Sequence, residues 1–178
     1  MTYTIKSRFI LAVVTVQTIW LHFAGNAIKK FTGRKAGDDM LLKCAGTGSK
    51  GNSYALVAES GEILLIECGV KWSETMKMID YQTSKIVGCI CSHAHSDHLR
   101  SYKYCLHYGI PIYTNDETAE HFEIISGEKM IGKPERIPFE VGAFRIIPFY
   151  VPHDGCPCFA YIIIHPECGN ILYATDII

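Results

Sequence analysis

From Met40 onward the apolar positions fall into short runs separated by glycine, serine and acidic residues. A run over 41–45 stops at Gly46 and has the length of a strand. Runs over 53–58 and 62–67 flank Glu59-Ser60-Gly61, the pattern of a hairpin closed by a tight glycine-containing turn. Trp72, Met76, Met78 and Ile79 recur at helical spacing, predicting a helix over 73–81 capped by Ser73. The unbroken apolar run over 86–91 predicts a strand covered on both faces. A helix over 99–108 should end at Gly109, followed by a brief strand over 111–113. Thr114-Asn115-Asp116-Glu117 has the Thr-x-x-Glu form of a capping box and opens a helix through 125. Three more strands are expected over 144–150, 159–165 and 171–175. Strands first, then strands alternating with helices, predict an α/β or α+β layered domain.

Residues 1–39 differ from this body. Lys6 and Arg8 precede the apolar stretch 9–16, and Ala24 to Ala27 supplies small residues. Three readings stand: an upstream extension that precedes the domain starting at Met40, a signal peptide, or a membrane anchor through residues 9–24. Gln17 and His22 shorten the apolar span. The division expected is thus 1–39 and 40–178.

Charge separates the same two parts. Residues 1–39 carry six Lys/Arg against two Asp, and residues 40–178 carry eleven basic against sixteen acidic side chains. The body, at −5, lacks the basic excess of a duplex-binding surface. No run of about 20 apolar residues occurs, which excludes a polytopic membrane protein. Eight cysteines, none spaced Cys-x-x-Cys, sit in a chain with ample core-forming sequence. They are expected to be reduced, buried small hydrophobes, which points to the cytoplasm.

The sharpest chemical feature is Ser92-His93-Ala94-His95-Ser96-Asp97-His98, directly after the buried strand. Three imidazoles and a carboxylate in six residues suit Zn²⁺, Mn²⁺ or Fe²⁺. His93 and His95 can grip one ion while Asp97 and His98 face a second. Two other strands end in ligand types: His153 follows the strand over 144–150, and Asp176 follows that over 171–175. With the cluster, His153 is expected as the third ligand of the first ion and Asp176 as a bridging carboxylate. Cys156 and Cys158 could add soft ligands, although strand packing explains them as well.

His93-x-His95-x-Asp97-His98, with distal His153 and Asp176, resembles the metallo-β-lactamase superfamily. The likeness is nearest to its bacterial YycJ/WalJ-type branch, through residues 46–53 (Gly-Thr-Gly-Ser-Lys-Gly-Asn-Ser), Ile66-Glu67-Cys68-Gly69, residues 108–113, Pro148-Phe149 and Tyr173-Ala174-Thr175-Asp176. It covers residues 40–178. The resemblance implies an αββα sandwich whose second half is incomplete here, since members continue beyond Asp176 and draw a last histidine for the second metal from there. It also implies two divalent ions, Zn or Mn, with the second site short of one ligand. Glu67 stands where members carry aspartate, supporting the ligands from behind.

In that pattern two ions share a water and lower its pKa toward neutrality, with Asp97, His153 and Asp176 as catalytic apparatus. The branch implies a phosphodiesterase acting on DNA as an exonuclease, with Ser49, Lys50 and Asn52 of the glycine-rich loop near a substrate phosphate. The same metal core serves thioester, ester and lactone hydrolases, and a third reading is an inactive metal-binding fragment. No membrane partner is expected, and the oligomeric state is open.

Overall fold

The computed structural model describes residues 2–5, 9–15, 18–22, 40–126 and 130–177. Two sheets stack face to face. The first contains β1 (Thr2–Ile5), β4 (Met40–Gly46), β5 (Ser53–Val57), β6 (Ile63–Ile66), β7 (Ile86–Ile90), β8 (Ile112–Thr114) and β9 (Ile131–Gly132), side by side in that order. The second contains β10 (Phe139–Val141), β11 (Phe144–Val151), β12 (Cys158–His165), β13 (Gly169–Thr175), β2 (Phe9–Thr15) and β3 (Thr18–His22). Among the described residues four α-helices accompany them: α1 (Trp72–Met78), α2 (Ser96–Leu99), α3 (Tyr102–His107) and α4 (Asp116–Ser126).

The period-2 alternation of each strand divides the apolar side chains between two cores. Leu56, Leu64, Ile66 and Ile90 face the second sheet and meet Phe144, Ile146, Phe159, Tyr161 and Tyr173. Their sequence neighbours Ala55, Leu65, Cys89 and Cys91 face the opposite way, against Trp72 and Ile79 of the α1 region, Cys105 of α3 and Phe122 of α4. The interior strand β7 is therefore covered on both faces, as its unbroken apolar run predicts. The layers run helices, first sheet, second sheet. This mixed α/β sandwich is the expected architecture, and the hairpin of β5 and β6 pairs Tyr54 with Ile66 through Val57 with Ile63.

Several local expectations need correction. Helix α1 begins at Trp72 with Lys71 at its N-cap and no side-chain cap bond, so Ser73 lies inside the first turn. The helix expected over 99–108 is two pieces, because Ser101 at the break adopts φ −103° and turns its hydroxyl onto Val70 O, 2.5 Å away. Thr114 is the last residue of β8, and the cap of α4 is Asn115, whose Oδ1 accepts from Thr118 N at 2.7 Å. Short β9 and β10 carry too few residues to show alternation.

The early segment contributes strands. β1 runs antiparallel to β4, with Thr2 opposite Lys43, and β2 runs parallel to β13, with Phe9 opposite Asn170. The stretch that suggested a signal or an anchor thus includes β2 and β3. Lys6, Arg8 and the small residues 24–27 lie outside the described residues. Among the described residues, no helix is long and apolar enough to cross a membrane.

Candidate metal centre

Every ligand type singled out from the sequence arrives at one end of the two sheets, because each follows the C-terminal end of a strand. The histidine loop follows β7, Glu67 follows β6, His153 follows β11 and Asp176 follows β13. Three loops are held together there by backbone contacts. Asn52 N donates to Asp97 O at 2.7 Å, Cys68 N to His98 O at 2.8 Å, and Gly69 N to Asn52 O at 2.8 Å. Gly69 is demanded by this packing, since a Cβ on it would collide with the Asp97 carbonyl. Gly51, at φ +131°, is equally crowded by the carbonyl of Gly69.

His93, His95 and His153 form the first convergence. His93 Nε2 lies 2.8 Å from His95 Nδ1, and His153 Nε2 lies 3.3 Å from the same atom. All three donor atoms fall within 4.8 Å of one another. Ligands held at Zn–N distances of about 2.0–2.1 Å in a tetrahedron are separated by about 3.3 Å, so the triangle is of the size a divalent cation needs. The far side of His93 is occupied: Ser92 Oγ is 2.9 Å and Cys158 Sγ 3.6 Å from its Nδ1. That arrangement fixes the ring and turns Nε2 toward its partners.

His98 and Asp176 form the second convergence. His98 Nε2 is 2.9 Å from Asp176 Oδ2 and 3.5 Å from Asp97 Oδ2. His93, His98 and Asp176 also place donor atoms within 4.8 Å, so Asp176 stands between the two groups, 3.8 Å from His93 Nε2. Asp97 sits at the open side, with its side chain 32% exposed. Behind His98, Glu67 Oε1 approaches Nδ1 at 3.4 Å and accepts from Ser92 N and Tyr173 OH, both at 3.1 Å. Glu67 Oε2 is buried without a partner. Glu67 and Asp176 both adopt positive φ, 61° and 52°, a conformation that costs about 1–3 kcal/mol for a non-glycine residue and concentrates at functional sites.

Charge follows from these surroundings. Burial, reinforced by the neighbouring imidazoles, lowers the pKa of His93 to about 3, so its ring is neutral and available as a donor. Burial also opposes a charge on His98, but the Glu67 and Asp176 carboxylates outweigh it and raise its pKa to about 10. For Asp176 burial acts upward, and the His98 contact prevails to hold the carboxyl below its ordinary value.

The residues proposed for substrate separate into two kinds. Asn52 is buried, with Nδ2 3.2 Å from His98 Nε2 and Oδ1 accepting from Gly48 N at 2.9 Å, whereas Ser49 and Lys50 are exposed on the rim of the same loop. Cys156 keeps to its own loop, 4.0 Å from Pro157 O, and Cys158 touches only the back of His93 among the ligand histidines. One residue escaped the sequence reading. Asn115 Nδ2 donates to Ser92 O and Pro157 O, both at 3.0 Å, tying the histidine loop to the segment after His153. Its signal was the Asn at the position before an acidic first turn, masked by the capping-box pattern one residue earlier.

The family model of anti-Pycsar protein Apyc1 matches residues 42–110, less than half of the chain. No curated protein matches significantly. Among solved structures, the metallo-β-lactamase fold protein YhfI from Bacillus subtilis superposes with a TM-score of 0.61 at 23% identity, over 75% of this chain and 60% of that one. A HARLDQ motif mutant of a metallo-β-lactamase from Cronobacter sakazakii gives 0.60 at 14% identity, over 76% and 60%. The Rm3 metallo-β-lactamase gives 0.61 at 16% identity, over 75% and 58%. The chain spans about 60% of the length of the first two structures. These likenesses establish the architecture: the chain has the metallo-β-lactamase fold, with its histidine and carboxylate groups gathered at the strand ends.

Proposed function

We propose that this chain carries the centre of a metal-dependent hydrolase whose substrate is a phosphodiester, DNA ends foremost. The observation that supports it is the meeting of two donor groups, His93–His95–His153 and His93–His98–Asp176, which share His93, with Asp176 Oδ2 3.8 Å from His93 Nε2. Two divalent ions held there, Zn²⁺ or Mn²⁺, would supply an activated water and offset charge on the scissile phosphoryl group. Asp97 Oδ2, 3.5 Å from His98 Nε2 and partly open to solvent, would orient the attacking water and take its proton. His153 orients the first group from the opposite loop, and Asp176 holds the two groups in register. Asn52 fixes the rim of the site against His98, leaving the Lys50 ammonium free to meet a phosphate oxygen.

The acidic balance of residues 40–178 favours single strands, ends or small phosphodiesters over duplex DNA, because phosphate neutralisation drives most duplex affinity. The test is a panel of substrates with Mn²⁺ or Zn²⁺: single-stranded DNA, cyclic mononucleotides, thioesters and lactones. Phosphodiester cleavage that disappears in Asp97→Ala supports the reading. Opening of thioesters or lactones without any phosphodiester cleavage overturns it.

A further inference from the structure

On the helix-facing side of the first sheet, away from the imidazoles, four of the eight cysteines share one pocket. Cys68 follows β6, Cys89 lies in β7, Cys91 follows β7 and Cys105 comes from α3. All four are 0% exposed. The sulfurs of Cys68, Cys89 and Cys105 lie within 4.8 Å of one another, and Cys91 Sγ is 3.7 Å from Cys89 Sγ. Residues 89 and 91 share a face of the strand by its period of two, so both sulfurs are delivered to the same spot.

The other four cysteines behave differently. Cys44, Cys156 and Cys168 turn their sulfurs to the carbonyl oxygens of Gly46, Pro157 and Gly169, and Cys158 lies nearest His93 Nδ1. Within the pocket the sulfurs turn to one another, Cys68 meeting Cys89, Cys91 and Cys105. A thiol is a weak donor and a weak acceptor, so sulfur facing sulfur replaces water poorly. A thiophilic cation fits the same space. Bonds of about 2.3 Å at tetrahedral angles separate sulfurs by about 3.8 Å, inside the 4.8 Å spread of the Cys68, Cys89 and Cys105 sulfurs.

We propose that Cys68, Cys89 and Cys105 form a buried site for a thiophilic d¹⁰ cation, Zn²⁺ or its analogue Cd²⁺, with the Cys91 thiol packed beside Cys89. Binding exchanges the thiol protons for the cation and releases them to solvent, so occupancy falls at low pH. The site is structural in character: it joins β6, β7 and α3 directly beneath Glu67 and Ser92, and its full burial keeps it out of reach of a substrate. It does not depend on the hydrolytic reading.

Cadmium is the probe. The protein is saturated with Cd²⁺ and desalted, then its cadmium content and its near-ultraviolet sulfur-to-cadmium charge-transfer absorption are measured. Wild type, His93→Ala and the control Cys156→Ser are expected to show the absorption. Cys89→Ala and Cys105→Ser are expected to lose it together with one equivalent of cadmium. Cys105 lies on a short helix, so its serine variant keeps the test decisive if the strand variant fails to fold. An absorption missing from wild type, or undiminished in Cys105→Ser, overturns the proposal.

Discussion

His98 Nε2 lies 2.9 Å from Asp176 Oδ2, joining helix α2, which follows β7 of one sheet, to the residue that follows β13 of the other. The pair closes the sandwich at the end where the donors gather, and Glu67 faces the opposite nitrogen of the same ring at 3.4 Å. His98 is thus held between two carboxylates with no exposure of its side chain. Removing one member of such a buried set leaves the others uncompensated, which costs about 3–5 kcal/mol. Asp176→Ala is expected to lose stability of that order in chelator-treated protein, read as a lower urea midpoint, and to weaken binding of divalent ions.

The metal-free protein should show opposing pH dependences from its two buried histidines. The folded pKa of His98 is about 10 against 6.5 for an ordinary histidine. Its contribution is fully present below pH 6.5 and is lost as the pH rises through about 10. His93 is lowered to about 3, so the unfolded chain takes up its proton first, and stability falls as the pH drops from 6.5 toward 3. Urea midpoints of chelator-treated protein are expected to peak near pH 6.5 and decline on both sides. His98→Asn should flatten the alkaline decline and leave the acid one.

Glu67→Gln is expected to weaken divalent-ion binding by about 10–100-fold, the usual effect of losing a carboxylate behind a metal-ligating histidine. The amide oxygen can still accept from Ser92 N and Tyr173 OH, so the fold should persist. Competition against a chromophoric chelator measures the affinity, and circular dichroism checks the fold. An unchanged affinity would separate Glu67 from the site.

Strands β4 to β8 and β11 to β13, and the ligand types, were legible from the sequence because each depends on local pattern, whereas β1, β2, β3, β9 and β10 were not. The apolar run over 86–91 could only be a strand covered twice, and three histidines in six residues had no packing explanation. What escaped depends on tertiary contact. Asn115 caps a helix and ties two loops at once, and only the fold brings Ser92 and Pro157 to its amide. The four pocket cysteines lie 21, 2 and 14 positions apart along the chain (68 to 89 to 91 to 105), so spacing gave no Cys-x-x-Cys signal. Ser101 broke a helix through a hydroxyl contact with Val70 that no periodicity records.

Gly69→Ala tests how tightly the loops are stacked. The added Cβ would meet the carbonyl of Asp97 and the amide of His98, both backbone atoms that no rotamer change can move aside. Overpacking of this kind costs about 1–3 kcal/mol and sometimes more. The expected result is a destabilised protein in which Asp97 and His98 are displaced, so metal affinity and hydrolysis fall together.

Asn115 offers the cleanest separation of support from ligation, because it touches no ligand side chain. Its Oδ1 caps α4 at 2.7 Å, while its amide holds Ser92 O and Pro157 O. Asn115→Ala loses the cap, worth about 1 kcal/mol. It also orphans two carbonyls, each a further cost of about 1–3 kcal/mol where buried. Asn115→Asp keeps the cap acceptor and loses only the amide donors. If the bridge positions His153 against His93 and His95, both variants should weaken divalent-ion binding, and the aspartate should do so with the smaller loss of stability. Equal metal affinity in wild type and both variants would show that the two loops hold their places without Asn115.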